Sequence, residues 1–219
     1  LEVGEPRDIA AVLSNMAVCC TSLGRFAEVR DYYAKARECA ENAGLLTLVA
    51  EADYNIAYFH FLRGEYVEAI RQYGRSRIHA EKIGDRYRAA LCDLDESEMY
   101  LELNLIQESG QLARRAAASF LDLGMNYEWA KSVVNEAIAA GHNGRFDDAL
   151  TLMRASRKKM REERNEVWPA LLDAYQSVVY ARAGRLSRAR RLIARARKVL
   201  SQCGLPNKTA LCDSIDAQL

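Results

Sequence analysis

Three kinds of side chain in this sequence could carry chemistry: six cysteines, three histidines, and a dense run of carboxylates at Asp93, Asp95, Glu96, Glu98 and Glu102. A cysteine nucleophile needs a base beside it, and a thiolate metal site needs a C-x-x-C pair or a histidine at ligand spacing. The chain has no C-x-x-C, and no histidine stands at that spacing from a cysteine pair. Its glycines are isolated, forming neither G-x-G-x-x-G nor a P-loop, so nothing cradles a phosphate. The carboxylate run has no partner base. It reads as a solvated or peptide-facing acidic patch rather than as paired acid–base chemistry.

What must position these residues is a repeat. Gly24, Gly64, Gly144 and Gly184 are separated by multiples of 40, and position 104 of that series is Asn104. Asparagine is the residue that best replaces glycine where a helix ends in a left-handed turn. A second column holds Gly44, Gly84, Gly124 and Gly204, with Arg164 beside Asn165 in the gap, so the two columns take eight of the twelve glycines. Phe26, Tyr66, Ile106, Phe146 and Leu186 follow the first column by two residues. The small residues Val29, Ala69, Ser109, Ala149 and Ala189 come next, then Ala36, Ser76, Ala116, Ser156 and Ala196. Ala40, Ala80, Phe120, Met160 and Leu200 continue the same apolar stripe at helical spacing. Each repeat is thus expected to be a helical hairpin with helices of about 16–18 residues, roughly 25 Å long.

The columns also judge the chemistry. Cys20, His60, Tyr100, Ala140 and Tyr180 share one register, and Cys92 and Cys212 share another with Val12, Ala52 and Leu172. A cysteine that alternates with valine, alanine and leucine is a small core residue. His60, His79 and His142 are the only histidines, and the repeat sets none beside a cysteine or serine. Neither catalysis, a metal nor a cofactor is expected.

Composition agrees with helix throughout. Three prolines in 219 residues, half of them hydrophobic, suit an all-α protein. No apolar run reaches the roughly 20 residues of a membrane span and no signal peptide opens the chain. Reduced thiols and a cytoplasmic location are the expectation. The chain opens on Leu1 rather than methionine and begins a sixth first helix after Gly204 before stopping, so it reads as a fragment of a longer protein.

A 40-residue period is open to HEAT, armadillo or WD40 repeats, but the turn sequence G-[R/E]-aromatic-x-[E/D]-A decides otherwise. Tyr54 to Ala69 (YNIAYFHFLRGEYVEA) and Gly144 to Ala149 (GRFDDA) resemble the tetratricopeptide (TPR) repeat, and the likeness covers essentially the whole chain. It departs in period and in lacking the family's early aromatic, where Leu13, Asp53, Asp93, Val133 and Asp173 stand. The resemblance implies an all-α, right-handed superhelical solenoid forming a single domain over residues 1–219. Its repeats fall at about 8–45, 46–85, 86–125, 126–165 and 166–205, with a partial sixth at 206–219. Residues Tyr100 to Trp168 are similar to bacterial TPR arrays that precede a caspase-like (CHAT) protease domain.

In that family the first helices line a concave groove. Residues read at i, i+3 and i+7 give Asn15, Val18 and Ser22; Asn55, Tyr58 and Leu62; Asp95, Glu98 and Glu102; Asn135, Ile138 and His142; and Tyr175, Val178 and Arg182. The amides of Asn15, Asn55 and Asn135 suit the backbone of an extended peptide, and bridging neighbouring helices would use them equally well. Tyr54, Tyr58 and Phe61 are candidate anchors, with packing between repeats as their other role. Asp95, Glu98 and Glu102 would favour a basic ligand residue.

Charge divides unevenly. Residues 1–110 carry 12 basic and 19 acidic side chains, a net of −7, and residues 111–219 carry a net of +8. Arg188, Arg190, Arg191, Arg195 and Lys198 are expected to point away from the seam of the last hairpin. A solvated convex face is the expected reading; docking on an acidic partner or on the acidic half of another copy comes second, and without interleaved aromatics nucleic acid fits least. The function expected is a protein-interaction scaffold for a peptide or helix of a partner. The alternatives are a regulatory arm contacting an effector domain of the same parent chain, and head-to-tail self-association of acidic and basic halves.

Overall fold

The structure is a computed structural model and describes residues 4–165 and 167–219; Glu166, where the fifth repeat is expected to begin, lies outside the described residues. Among the described residues there are eleven α-helices and no strand. The first helices are α1 (Pro6–Ser22), α3 (Leu46–Leu62), α5 (Arg86–Glu102), α7 (Asn126–His142), α9 (Val167–Arg182) and α11 (Pro206–Ala217). The second helices are α2 (Phe26–Asn42), α4 (Tyr66–Lys82), α6 (Ile106–Asp122), α8 (Phe146–Glu162) and α10 (Leu186–Gln202).

The helix ends are dictated locally. Gly24 adopts φ +71°, its amide donates to the Thr21 carbonyl, and the Arg25 amide reaches back to the Cys20 carbonyl at 2.9 Å. This is a Schellman turn, which satisfies carbonyls left over at the last helical turn. Two positions of the pattern lack glycine yet turn the same way: Asn104 at φ 59° and Arg164 at φ 54°. For Arg164, whose side chain makes no local bond among the described residues that favours this region, the backbone conformation is strained.

The chain forms two compact units, one ending at Met99 and the other beginning at Tyr100. In the first, α1 pairs with α2 and α3 with α4, and α1 also lies against α3. In the second, each helix from α6 to α11 packs on the next, while α9 touches both α7 and α11. The three small or apolar columns of the second helices are fully enclosed, as their spacing requires: Val29, Ala69, Ser109, Ala149 and Ala189 all have zero exposure. Serine fits there because its hydroxyl finds a carbonyl across the hairpin. Ser76 donates to Ala50 at 2.9 Å and Ser156 to Ala130 at 3.3 Å.

Candidate functional site

In the first unit a cleft of about 480 Å³ opens between α1 and α3. Val18, Thr21 and Ser22 come from α1, Tyr54, Asn55, Tyr58, Phe59 and Leu62 from α3, and Tyr33 of α2 reaches in from behind. The helical spacing that selects Val18, Ser22, Asn55, Tyr58 and Leu62 thus brings these residues together. Asn15 is exposed on α1 outside the lining; Phe61 also lies outside it, edge-to-face with Tyr58 and tilted against Tyr66, with ring centroids 6.3 and 6.4 Å apart. Val18, Tyr58 and Leu62 are 43–51% exposed, so the mouth of the cleft is apolar while Asn55 and Ser22 offer polar groups along it. Tyr33, Phe59 and Thr21 escape the groove pattern. Tyr33 and Tyr73 occupy equivalent positions one repeat apart, both buried, and that column marks a residue of the second helix that reaches the first.

Both tyrosines at the back of the cleft, Tyr33 and Tyr54, keep their phenol protons. Burial, helped by the Glu51 charge, pushes the Tyr33 phenol up to about 12. Burial and the adjacent Asp95 carboxylate hold Tyr54 well above the ordinary tyrosine value. Its hydroxyl donates to Asp95 Oδ2 at 2.7 Å, and Tyr73 donates to the same oxygen at 3.2 Å.

This corrects the reading of the acidic run. Asp93, Asp95 and Glu96 are 3–6% exposed and form no solvated or peptide-facing patch. Their charges are met inside the fold: Asp95 by the two phenols, and Asp93 and Glu96 by Arg77, whose Nη1 lies 2.9 and 2.5 Å from them. Of the carboxylates expected to select a basic ligand, Asp95 is therefore committed to the core, whereas Glu98 is half-buried on α5 and Glu102 is exposed.

In the second unit Asn135 is buried on α7, His142 and Tyr175 are half-buried on α7 and α9, and Arg182 is exposed at the end of α9. Burial and the Arg182 charge lower the His142 pKa. All six cysteines are free thiols. Burial pushes the Cys92 thiol up to about 12, the reverse of what an activated nucleophile requires. Among the described residues no cluster of histidine, cysteine and carboxylates is placed to hold a metal ion, and no helix is long and apolar enough to cross a membrane.

A second device was hidden in the columns. Arg37, Arg77, Arg157 and Arg197 recur at the repeat period, and each pairs with the aspartate sixteen residues on: Asp53, Asp93, Asp173 and Asp213. The bond ties a second helix to the following first helix. In the one repeat without it, both members change together, to Ala117 and Val133, and both are buried. The column read as a missing aromatic is the acidic half of this clamp. Its partner column on the second helix, not its own residue type, was the signal.

No family model matches the chain, and no curated protein matches it. Among solved structures it is similar to BtubC (BKLC) from P. vanneervenii, with a TM-score of 0.74 and 16% identity over 90% of this chain and 82% of that one. It is also similar to the Rap conjugation gene regulator of the plasmid pLS20 in complex with the Phr* peptide, at 0.71 and 15%, over 92% of this chain and 56% of that one. The chain therefore spans just over half of that regulator. YrrB, described as a TPR protein with an unusual peptide-binding site, superposes at 0.52 and 18%, over 88% and 87%. With hairpins of this geometry, the fold is that of TPR-like repeat proteins.

Proposed function

We propose that the chain is a non-catalytic protein-interaction scaffold, and that the α1–α3 cleft of its first unit captures an extended peptide segment of a partner protein. The observation that carries this reading is the cleft itself. It sets the exposed faces of Tyr58, Leu62 and Val18 beside the Asn55 amide, an apolar anchor site next to a group that both donates and accepts. At the rear, the Tyr54 hydroxyl is held by the buried Asp95 carboxylate oxygen, which Tyr73 also bonds. Proteins of similar fold include Rap in complex with the Phr* peptide and YrrB with its peptide-binding site, which supports a peptide as the ligand.

The test is selection of peptides from a displayed random library, followed by affinity measurement on variants. Tyr58→Ala removes an aromatic anchor and should cost about 2 kcal/mol, roughly 30-fold in Kd, with helicity unchanged. Asn55→Ala should weaken binding irrespective of peptide sequence. Selected peptides that bind both variants as tightly as the parent would exclude this cleft as the site.

A further inference from the structure

The second unit holds another cleft, of about 540 Å³, between α8 and α10. Arg154, Arg157 and Arg161 of α8 face Arg188 and Arg195 of α10 across it. Their spacing of three, four and seven residues keeps each set on one helix face. Gln176 and Tyr180 of α9 form the floor, and Leu150 and Leu192 supply aliphatic surface between the two rows. An adjoining cavity of about 450 Å³ extends this wall past Lys158, with Glu162 as its one carboxylate among the described residues. We propose that this cleft docks a carboxylate-rich peptide segment of a partner protein, at a site separate from the α1–α3 cleft.

The charge balance inside the cleft is the first reason. Five guanidinium groups share two carboxylates: Asp147 in the lining, and the buried Asp173, held at 2.5 Å by both Arg157 and Arg195. Among the described residues Arg154, Arg161 and Arg188 have no carboxylate partner. Arg154 bonds to the Leu150 carbonyl and the Thr151 hydroxyl. Arg188 lies over the Tyr180 ring at 4.4 Å, which holds its guanidinium at the cleft wall. A surplus of planar forks converging from two helices matches carboxylates arrayed along a peptide.

The second reason is what the cleft lacks. A single nucleic-acid strand needs aromatic faces on which bases stack, and Tyr180 is buried with Arg188 over its ring. Leu150 and Leu192, by contrast, suit an aliphatic side chain set between acidic ones. A second copy of this chain is the competing occupant, since residues 1–110 carry a net of −7. Four of the nineteen carboxylates there, Asp53, Asp93, Asp95 and Glu96, are buried and closed to a second copy, so self-association is kept as an outcome of the test.

The probe is a fluorescein-labelled peptide alternating glutamate and leucine, followed by fluorescence anisotropy on the full chain. Its controls are the same peptide with glutamine for glutamate, and a labelled oligothymidylate. The glutamate peptide should bind, and Arg154→Glu/Arg161→Glu and Arg188→Glu should each weaken it at least roughly tenfold. Raising salt to about 0.5 M, where the screening length falls to about 4 Å, should weaken it as well. Tyr58→Ala should leave it unchanged, which separates this site from the α1–α3 cleft. Since the altered arginines are exposed, helicity should be retained. Equal binding by the charge-reversed variants or by the glutamine peptide overturns the proposal. So does tighter binding of the oligothymidylate, or self-association in sedimentation that Arg154→Glu/Arg161→Glu abolishes.

Discussion

Replacing Arg157 by alanine tests the clamp between hairpins most directly. Arg157 Nη2 lies 2.5 Å from Asp173 Oδ1, its Nη1 donates to the Pro169 carbonyl at 3.2 Å, and Asp173 is 3% exposed. Removing one partner of a buried ion pair costs about 3–5 kcal/mol, because the other charge stays out of water without full compensation. Asp173 would keep Arg195, whose side chain is 62% exposed and therefore well screened. That places the expected loss for Arg157→Ala at the lower end, about 3 kcal/mol. The natural exchange at Ala117 and Val133 supplies the second arm. In Arg157→Ala/Asp173→Val neither charge is buried, so most of the loss should return, leaving a deficit of about 1 kcal/mol from lost contacts. The exposed pair Arg197–Asp213, at 45% and 57%, is the control, and Arg197→Ala should cost under about 1 kcal/mol. Urea unfolding followed by tryptophan fluorescence is a suitable assay, since both tryptophans, Trp129 and Trp168, belong to the second unit. With an m-value of about 2 kcal/mol/M, the Arg157→Ala midpoint should fall by about 1.5 M. A loss no larger than that of Arg197→Ala, or a double variant less stable than the single one, would refute the reasoning.

Two further outcomes follow from the same geometry. Arg164→Gly should stabilise the second unit by about 1 kcal/mol, because φ 54° carries a steric cost for arginine that glycine escapes; the urea midpoint reads it. His142 has a folded-state pKa below its ordinary value of about 6.5, from burial and the Arg182 charge, so the unfolded chain binds the proton more readily. The stability that neutral His142 contributes is present above about pH 6.5 and is lost as pH falls through the folded-state value. Between about pH 7 and 5 the parent should therefore lose more stability than His142→Gln, and equal losses would contradict the assignment.

The helix ends were legible because they are local. A left-handed residue at the end of a helix is selected by the glycine or asparagine that occupies it, whatever packs outside, and one 40-residue column places Gly24, Gly64 and Asn104 alike. The apolar stripe was legible for a similar reason. Small residues at helical spacing can only serve close approach, and Val29, Ala69 and Ala149 are enclosed accordingly. The cleft was legible in part: i, i+3, i+7 spacing predicts what one helix presents, and it gathers Val18, Ser22, Asn55, Tyr58 and Leu62. Tyr33 was not, since it comes from the neighbouring helix of the hairpin.

Charge is where sequence stopped. Asp93, Asp95, Glu96 and Glu98 follow one another on a single helix, and nothing in their types says which of them water reaches. That depends on the cover supplied by other helices. Tertiary structure turned Asp95 toward two phenols and Asp93 and Glu96 toward Arg77, and left Glu98 only half-buried. It likewise brought Arg157 and Arg195, on different helices, onto one oxygen pair of Asp173, and opposed two rows of arginine across one cleft. A backbone turn costs or gains free energy within a few residues, so sequence alone determines it. The free energy of a charge is set by the solvent and partners around it, and only the assembled helices decide those.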